Sequence, residues 1–114
     1  MMRVVVTGMG CVSSLGLDAE TTWSRALAGE CGIQPLRNLS MPDEAVQIAA
    51  EIDLPPTPGG RPPNFCERLA MRALEECLAH SGLDLERGDP RRRGVFQGAS
   101  TSDNPAAEDF LLER

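Results

Sequence analysis

The sequence predicts an α/β fold on three observations: a β-branched run at Val4-Val5-Val6, a long apolar helix pattern ending at Ser81-Gly82, and a short strand pattern at Gly94-Val95-Phe96-Gln97-Gly98. Strand, helix and strand in that order is the pattern of α/β architecture. A continuous run of valines, without polar alternation, is the mark of a strand covered on both faces in a parallel sheet.

The elements follow in chain order. After Val6 the chain enters a glycine-spaced loop, Thr7 to Leu17, and helix signals begin only at Asp18, a good N-cap. Trp23, Ala26 and Leu27 then recur at helical spacing, and Gly29 supplies the stop. From Cys31 to Arg61 the pattern is weak: Val46 to Ala49 reads as a short strand, and residues 53–64, rich in proline and glycine, read as a turn-rich connection within one domain.

Asn64 with Glu67 three positions on has the form of a capping box. The helix it opens carries Cys66, Leu69, Ala70, Ala73, Leu74, Cys77 and Leu78 on an apolar face wide enough to predict burial, with Arg68, Arg72, Glu75 and Glu76 as a narrow polar stripe. Asn104-Pro105 begins a further helix pattern, with Glu108 and Asp109 suited to its positive end. That pattern has only just set its apolar face when the sequence stops, so residues 1–114 are expected to form a single partial domain.

Composition bounds the function. With 41% hydrophobic and 25% charged residues, a chain of 114 residues is an ordinary globular sequence, not a disordered one. A net charge of −6 excludes a general nucleic-acid binder, which needs a concentrated basic face. The basic cluster Arg91-Arg92-Arg93 reads first as a solvated turn and alternatively as a small docking patch for an acidic partner. No apolar run reaches the roughly 20 residues of a membrane span, and no signal-peptide pattern follows Met1, so the expected location is cytoplasmic.

The glycine loop invites a nucleotide reading and fails its details. Gly8 and Gly10 fit the first two positions of Gly-x-Gly-x-x-Gly, but Ser13 stands at the third and the helix starts late. A P-loop fails as well, since no Gly-Lys-Ser/Thr is present. Gly8, Gly10 and Gly16 are instead expected to let the backbone turn where a side chain would clash.

Four cysteines, Cys11, Cys31, Cys66 and Cys77, form no Cys-x-x-Cys pair and have no histidine at ligand spacing, so neither zinc nor a disulfide framework is supported, and reduced, mostly buried thiols are expected. Cys66 lies near a helix start, where a thiol can be activated, but it sits on the apolar face. Cys11 reads as a packing residue in its loop. His80 reads as an exposed imidazole near a helix C-terminus. None makes a Cys-His pair, and no catalytic, cofactor-binding or metal-binding residue is assigned.

Val4-Val5-Val6-Thr7-Gly8-Met9-Gly10, Val12-Ser13, Leu15-Gly16, Thr22-Trp23, Leu27-Ala28-Gly29 and Gly32-Ile33 together resemble the opening of the beta-ketoacyl-acyl-carrier-protein synthases. Ala70 through Asp84 resembles that family's first long helix, and Arg93 to Gly98 its next central strand. Two stretches depart from the pattern: Pro55 to Asn64, and Ala99 to Ser102, where a second glycine-rich loop is common.

The resemblance implies a thiolase-like fold, of which this chain would be an incomplete layered α/β/α half-domain. It also implies decarboxylative condensation of acyl and malonyl thioesters in fatty-acid or polyketide biosynthesis. That chemistry needs a cysteine thiolate and two histidines, which in the family lie beyond the region matched here. Acyl carrier protein and the remainder of a ketosynthase are the implied partners, with homo- or hetero-oligomers possible.

Three functions are therefore carried forward. The first is the N-terminal part of such a synthase, inactive alone. The second is a non-catalytic scaffold or carrier-protein-binding protein, and the third an NAD-linked reductase, which Ser13 and the late helix disfavour. On the first reading the chain is expected to leave apolar strand surface exposed.

Overall fold

The computed structural model describes residues 3–38, 43–56 and 65–99. In chain order the elements are α1 (Ala19–Leu27), β1 (Gln34–Pro35), β2 (Ile48–Ala49), α2 (Phe65–Ser81) and a 3₁₀ turn at Pro90–Arg92.

Helix α1 begins where its cap requires. The Asp18 carboxylate accepts from the Thr21 amide at 2.7 Å, satisfying one of the first-turn N–H groups. The helix ends in a Schellman pair: Gly29, at φ +73°, donates to the Ala26 carbonyl, and Glu30 donates to that of Arg25. The Arg25 side chain then closes the same corner, its Nε 2.6 Å from the Glu30 carboxylate and its Nη1 donating to the Leu15 carbonyl.

Strands β1 and β2 pair antiparallel, Gln34 opposite Ala49 and Pro35 opposite Ile48. Leu36 continues the ladder by donating to the Gln47 carbonyl at 2.9 Å. The expected strand at Val46–Ala49 is thus present in its second half, and its partner falls in the stretch that reads as weakly patterned. Pro35 lacks a donor, which confines it to a short, edge-like ladder of this kind.

Helix α2 covers the expected span and stops at Gly82, at φ +62°, after which Leu83 donates to the Ser81 hydroxyl. Asn64, the proposed cap partner of Glu67, lies outside the described residues, as do the Asn104-Pro105 helix and most of the 53–64 connection.

Two expected strands are not strands here. Val4–Val6 and Gly94–Gly98 have no ladder partner among the described residues, with Val4 90% and Phe96 99% exposed. The reason is physical: a parallel strand is held by neighbouring strands and covering layers, and the described residues supply neither. The apolar breadth of α2 likewise predicts burial that is not reached. Its face is half-buried at Cys66, Leu69, Ala70, Ala73, Leu74, Cys77 and Leu78, and no described residue is buried. Cys31 is exposed and Cys11 half-buried, so the expectation of mostly buried thiols is corrected as well, while all four thiols are free.

Among the described residues, the glycine loop closely approaches α2. A Cβ at Gly10 would overlap the Ala73 carbonyl oxygen and stand 2.9 Å from the Cys77 nitrogen. One at Gly8 would overlap the Cys77 carbonyl and stand 2.7 Å from the Ser81 Cβ. Neither glycine has a positive φ, so their use is nearness to a helix backbone and not a left-handed turn. Ala73, Cys77 and Ser81, small residues one turn apart, offer the loop a shallow seat.

The Gly10→Ala variant is expected to push the loop off α2 and raise amide exchange across residues 8–19. Gly98→Ala, where an added Cβ meets nothing within 4 Å, leaves exchange there unchanged. Residue-resolved hydrogen exchange on the two variants checks the contrast.

Candidate functional site

Among the described residues, the loop, α1 and α2 meet through a set of side-chain hydrogen bonds. Three α2 side chains at successive four-residue steps, Arg72, Glu76 and His80, reach the loop from one face of the helix. Arg72 Nε donates to the Leu17 carbonyl at 3.4 Å. Glu76 Oε2 accepts from the Cys11 amide and Oε1 from the Ala19 amide, both at 2.8 Å. His80 Nδ1 accepts from the Met9 amide at 3.1 Å. Arg68, one step earlier, donates to the Leu54 and Pro55 carbonyls. Arg68, Arg72 and Glu76 of the narrow polar stripe, together with His80, therefore form the seam holding the helix to the rest of the described chain.

The loop closes on itself at Ser13 and Gly16, whose amides and carbonyls bond to each other at 2.8 and 3.2 Å. The Ser13 hydroxyl accepts from the Leu15 amide and lies 3.0 Å from the Thr22 hydroxyl on α1. Ser13, the residue that breaks the dinucleotide pattern, thus makes the bonds that shape the loop.

A nucleotide site at this loop meets two obstacles. A pyrophosphate would sit against free amides at the start of α1, but Asp18 takes the Thr21 amide and Glu76 takes the Ala19 amide. Two carboxylates already occupy the positive end of the helix. Gly8 and Gly10 are also pressed against α2, leaving no open backbone to approach a ligand.

An open cavity of about 590 Å³ lies on the other side of the loop, between Ser13–Leu17, Cys31, Gln34 and Glu51–Asp53. Its charged groups are mutually engaged. The Glu51 carboxylate accepts from the Arg37 and Asn38 amides at 2.9 and 3.0 Å, and Arg37 Nη2 lies 2.9 Å from Asp53. The Asn38 amide first and the Arg37 amide second hold the Glu51 carboxyl below its ordinary range. Asp18 is lowered in the same way, first by the Thr21 amide and then by the Thr21 side chain.

The structure does not assemble the cysteines with the histidine. Cys66 and His80 are on one helix fourteen positions apart, roughly 21 Å along its axis. Cys77 is one turn from His80, but the ring nitrogen is committed to Met9. No group of His, Cys, Asp and Glu suited to a metal ion occurs among the described residues. Of the arginine cluster, Arg93 turns onto the Leu85 and Arg87 carbonyls and Arg91 pairs with Asp89, so the triplet does not present three free charges. No helix among the described residues is long and apolar enough to cross a membrane.

Compared with known families, residues 1–113 match the beta-ketoacyl synthase N-terminal domain. The chain belongs to the beta-ketoacyl synthase family. It is 31% identical over 112 residues to a 3-oxoacyl-[acyl-carrier-protein] synthase 2 of Coxiella burnetii, covering 93% of this chain and 27% of that protein. It is 31% identical over 104 residues to the protein of the same name in Staphylococcus aureus, covering 86% of this chain and 25% of that protein. A Streptomyces halstedii protein named for a polyketide beta-ketoacyl synthase is 37% identical over 120 residues, covering 96% of this chain and 28% of its own. The chain therefore spans about a quarter of the length of the curated relatives it matches. No solved structure matches it. Membership implies a thiolase-like fold, of which the described residues display the two helices and a small hairpin.

Two outcomes follow from this geometry. In Glu76→Gln one amide keeps an oxygen acceptor and the other faces an NH₂ group, so protection at Cys11 or Ala19 is expected to fall by ~1–3 kcal/mol of local stability, read by amide exchange. Acid acts separately. Because Asp18 and Glu51 have depressed values in the folded chain, their contribution is present above the ordinary carboxylate range near pH 4 and is lost as pH falls through their folded values. Protection at Thr21, Arg37 and Asn38 should therefore drop on acidification, and Asp18→Asn should abolish the drop at Thr21 alone.

Proposed function

We propose that the chain serves as the N-terminal part of a beta-ketoacyl-acyl-carrier-protein synthase, supplying scaffold to an enzyme that condenses acyl and malonyl thioesters in fatty-acid or polyketide biosynthesis. Residues 1–114 act as one partial domain, an incomplete layered α/β/α half of the thiolase-like fold. The observation that carries the reading is the pair of apolar segments Val4–Val6 and Val95–Phe96, exposed and without ladder partners among the described residues, in a chain that spans about a quarter of its relatives. A strand pattern that needs cover on both faces is completed by chain that these residues do not provide.

On this reading no residue here is catalytic, and the thiolate and the two histidines of the condensation come from outside the matched region. The lone His80 is spent on the loop and stands fourteen positions from Cys66 along α2. Acyl carrier protein and the remainder of the synthase are the proposed partners. The scaffold alternative draws no support from Arg91–Arg93, two of which are engaged within the chain. The reductase alternative is opposed by the carboxylates at the start of α1.

A chimera tests the proposal. The chain alone should form no carbon–carbon bond from acyl and malonyl thioesters and should bind a hydrophobic dye. The Coxiella burnetii relative with its matched quarter replaced by this chain should condense thioesters and lose the dye signal. Condensation by the chain alone, or a compact and dye-silent chain with an inactive chimera, overturns it.

A further inference from the structure

His80 is the chain's single histidine, and it does something its position near a helix end does not require. Its Nδ1 lies 3.1 Å from the Met9 nitrogen and 3.4 Å from the Met9 oxygen. Only an unprotonated Nδ1 accepts from the Met9 amide, so this arrangement places the proton of the neutral ring on Nε2. Once Nδ1 is protonated, two donors face each other and the remaining acceptor is the Met9 carbonyl. Proton gain thus exchanges one bond for another and requires the loop or the ring to shift.

We infer that His80 is a pH-operated latch on the glycine loop: the neutral imidazole fastens Met9 to α2 and the imidazolium releases the Met9 amide. The position gives the latch leverage. Met9 stands between Gly8 and Gly10, the residues that press against the helix, and directly beyond it the chain leads back to the exposed valines. Its neighbour along the seam does not share the chemistry, because Glu76 holds the Cys11 amide with a carboxylate oxygen and not with a ring nitrogen.

Among the described residues, the titratable groups nearest the ring along the chain lie on the loop, on α2 and just past its end. Loop residues 7–11 bring the Cys11 thiol as their single titratable side chain. On α2 the nearby ones are Cys77 and Glu76, and past its end Asp84, which accepts from the Glu86 amide and lies 4.0 Å from Arg87. The inference rests on this geometry and is independent of any role in condensation.

Hydrogen exchange with residue resolution, expressed as protection relative to the intrinsic rate at each pH, tests it on the full chain at pH 8.0 and 5.0. Protection of the Met9 amide is expected to fall roughly five-fold or more in the wild type, the worth of one hydrogen bond, while that of Cys11 holds. His80→Ala should give low protection at both pH values. His80→Asn, whose side-chain oxygen can accept without titrating, should be flat with pH at whatever level it reaches. A flat wild type, an alanine variant protected like the wild type, or an asparagine variant that falls with pH overturns the latch.

Discussion

Among the described residues, one carboxylate ties both the glycine loop and the start of α1 to α2. Glu76 reaches out from the middle of α2 and accepts the Cys11 amide with one oxygen and the Ala19 amide with the other. The first bond holds the loop and the second holds the start of α1, so a single side chain fixes two segments fifty-seven and sixty-five residues away in sequence. Hydrogen bonds to an ionised acceptor are among the stronger kind, and the positive end of α1 adds to the attraction. In a chain where no described residue is buried, directional polar contacts of this type carry what apolar packing does not.

That bond works only because the loop can come close. Glycine at positions 8 and 10 and small residues at 73, 77 and 81 bring backbone against backbone, and the polar side chains flanking that seat then fall within hydrogen-bonding distance. The two devices are mutually dependent. A side chain on Gly10 would lift the loop from the helix and take Cys11 away from Glu76, while without Glu76 the seat would keep only the bonds of Arg72 to Leu17 and His80 to Met9.

Features written in neighbouring residues were legible in the sequence. Asp18 at the start of α1, Gly29 at its end and Gly82 after α2 act through contacts a few positions away, and each stands where the pattern puts it. Features that need a distant partner were not legible. Nothing local distinguishes Arg72, Glu76 and His80 from an ordinary solvated stripe, and only the folded loop gives them partners. The hairpin strand at Gln34–Pro35 escaped for the same reason, since its pairing with Ile48–Ala49 is non-local and proline is a poor strand signal. Val4–Val6 and Gly94–Gly98 err the other way: the strand pattern is strong, but the pairing it calls for is not offered by the described residues.

The same distinction bears on what the opening glycines mean. A glycine after a strand pattern is compatible with a phosphate cradle or with packing against a helix, and the residue types alone do not separate the two. The separation comes from the destination of the nearby amides. In a cradle they would be left open toward a ligand, whereas here the amides of Met9, Cys11, Ala19 and Thr21 end on His80, Glu76 and Asp18. A bound anion would have to displace carboxylates that the helix end already stabilises, at sites where the backbone has no room to open. The loop therefore serves the seating of α2, and the valines that precede it stay exposed.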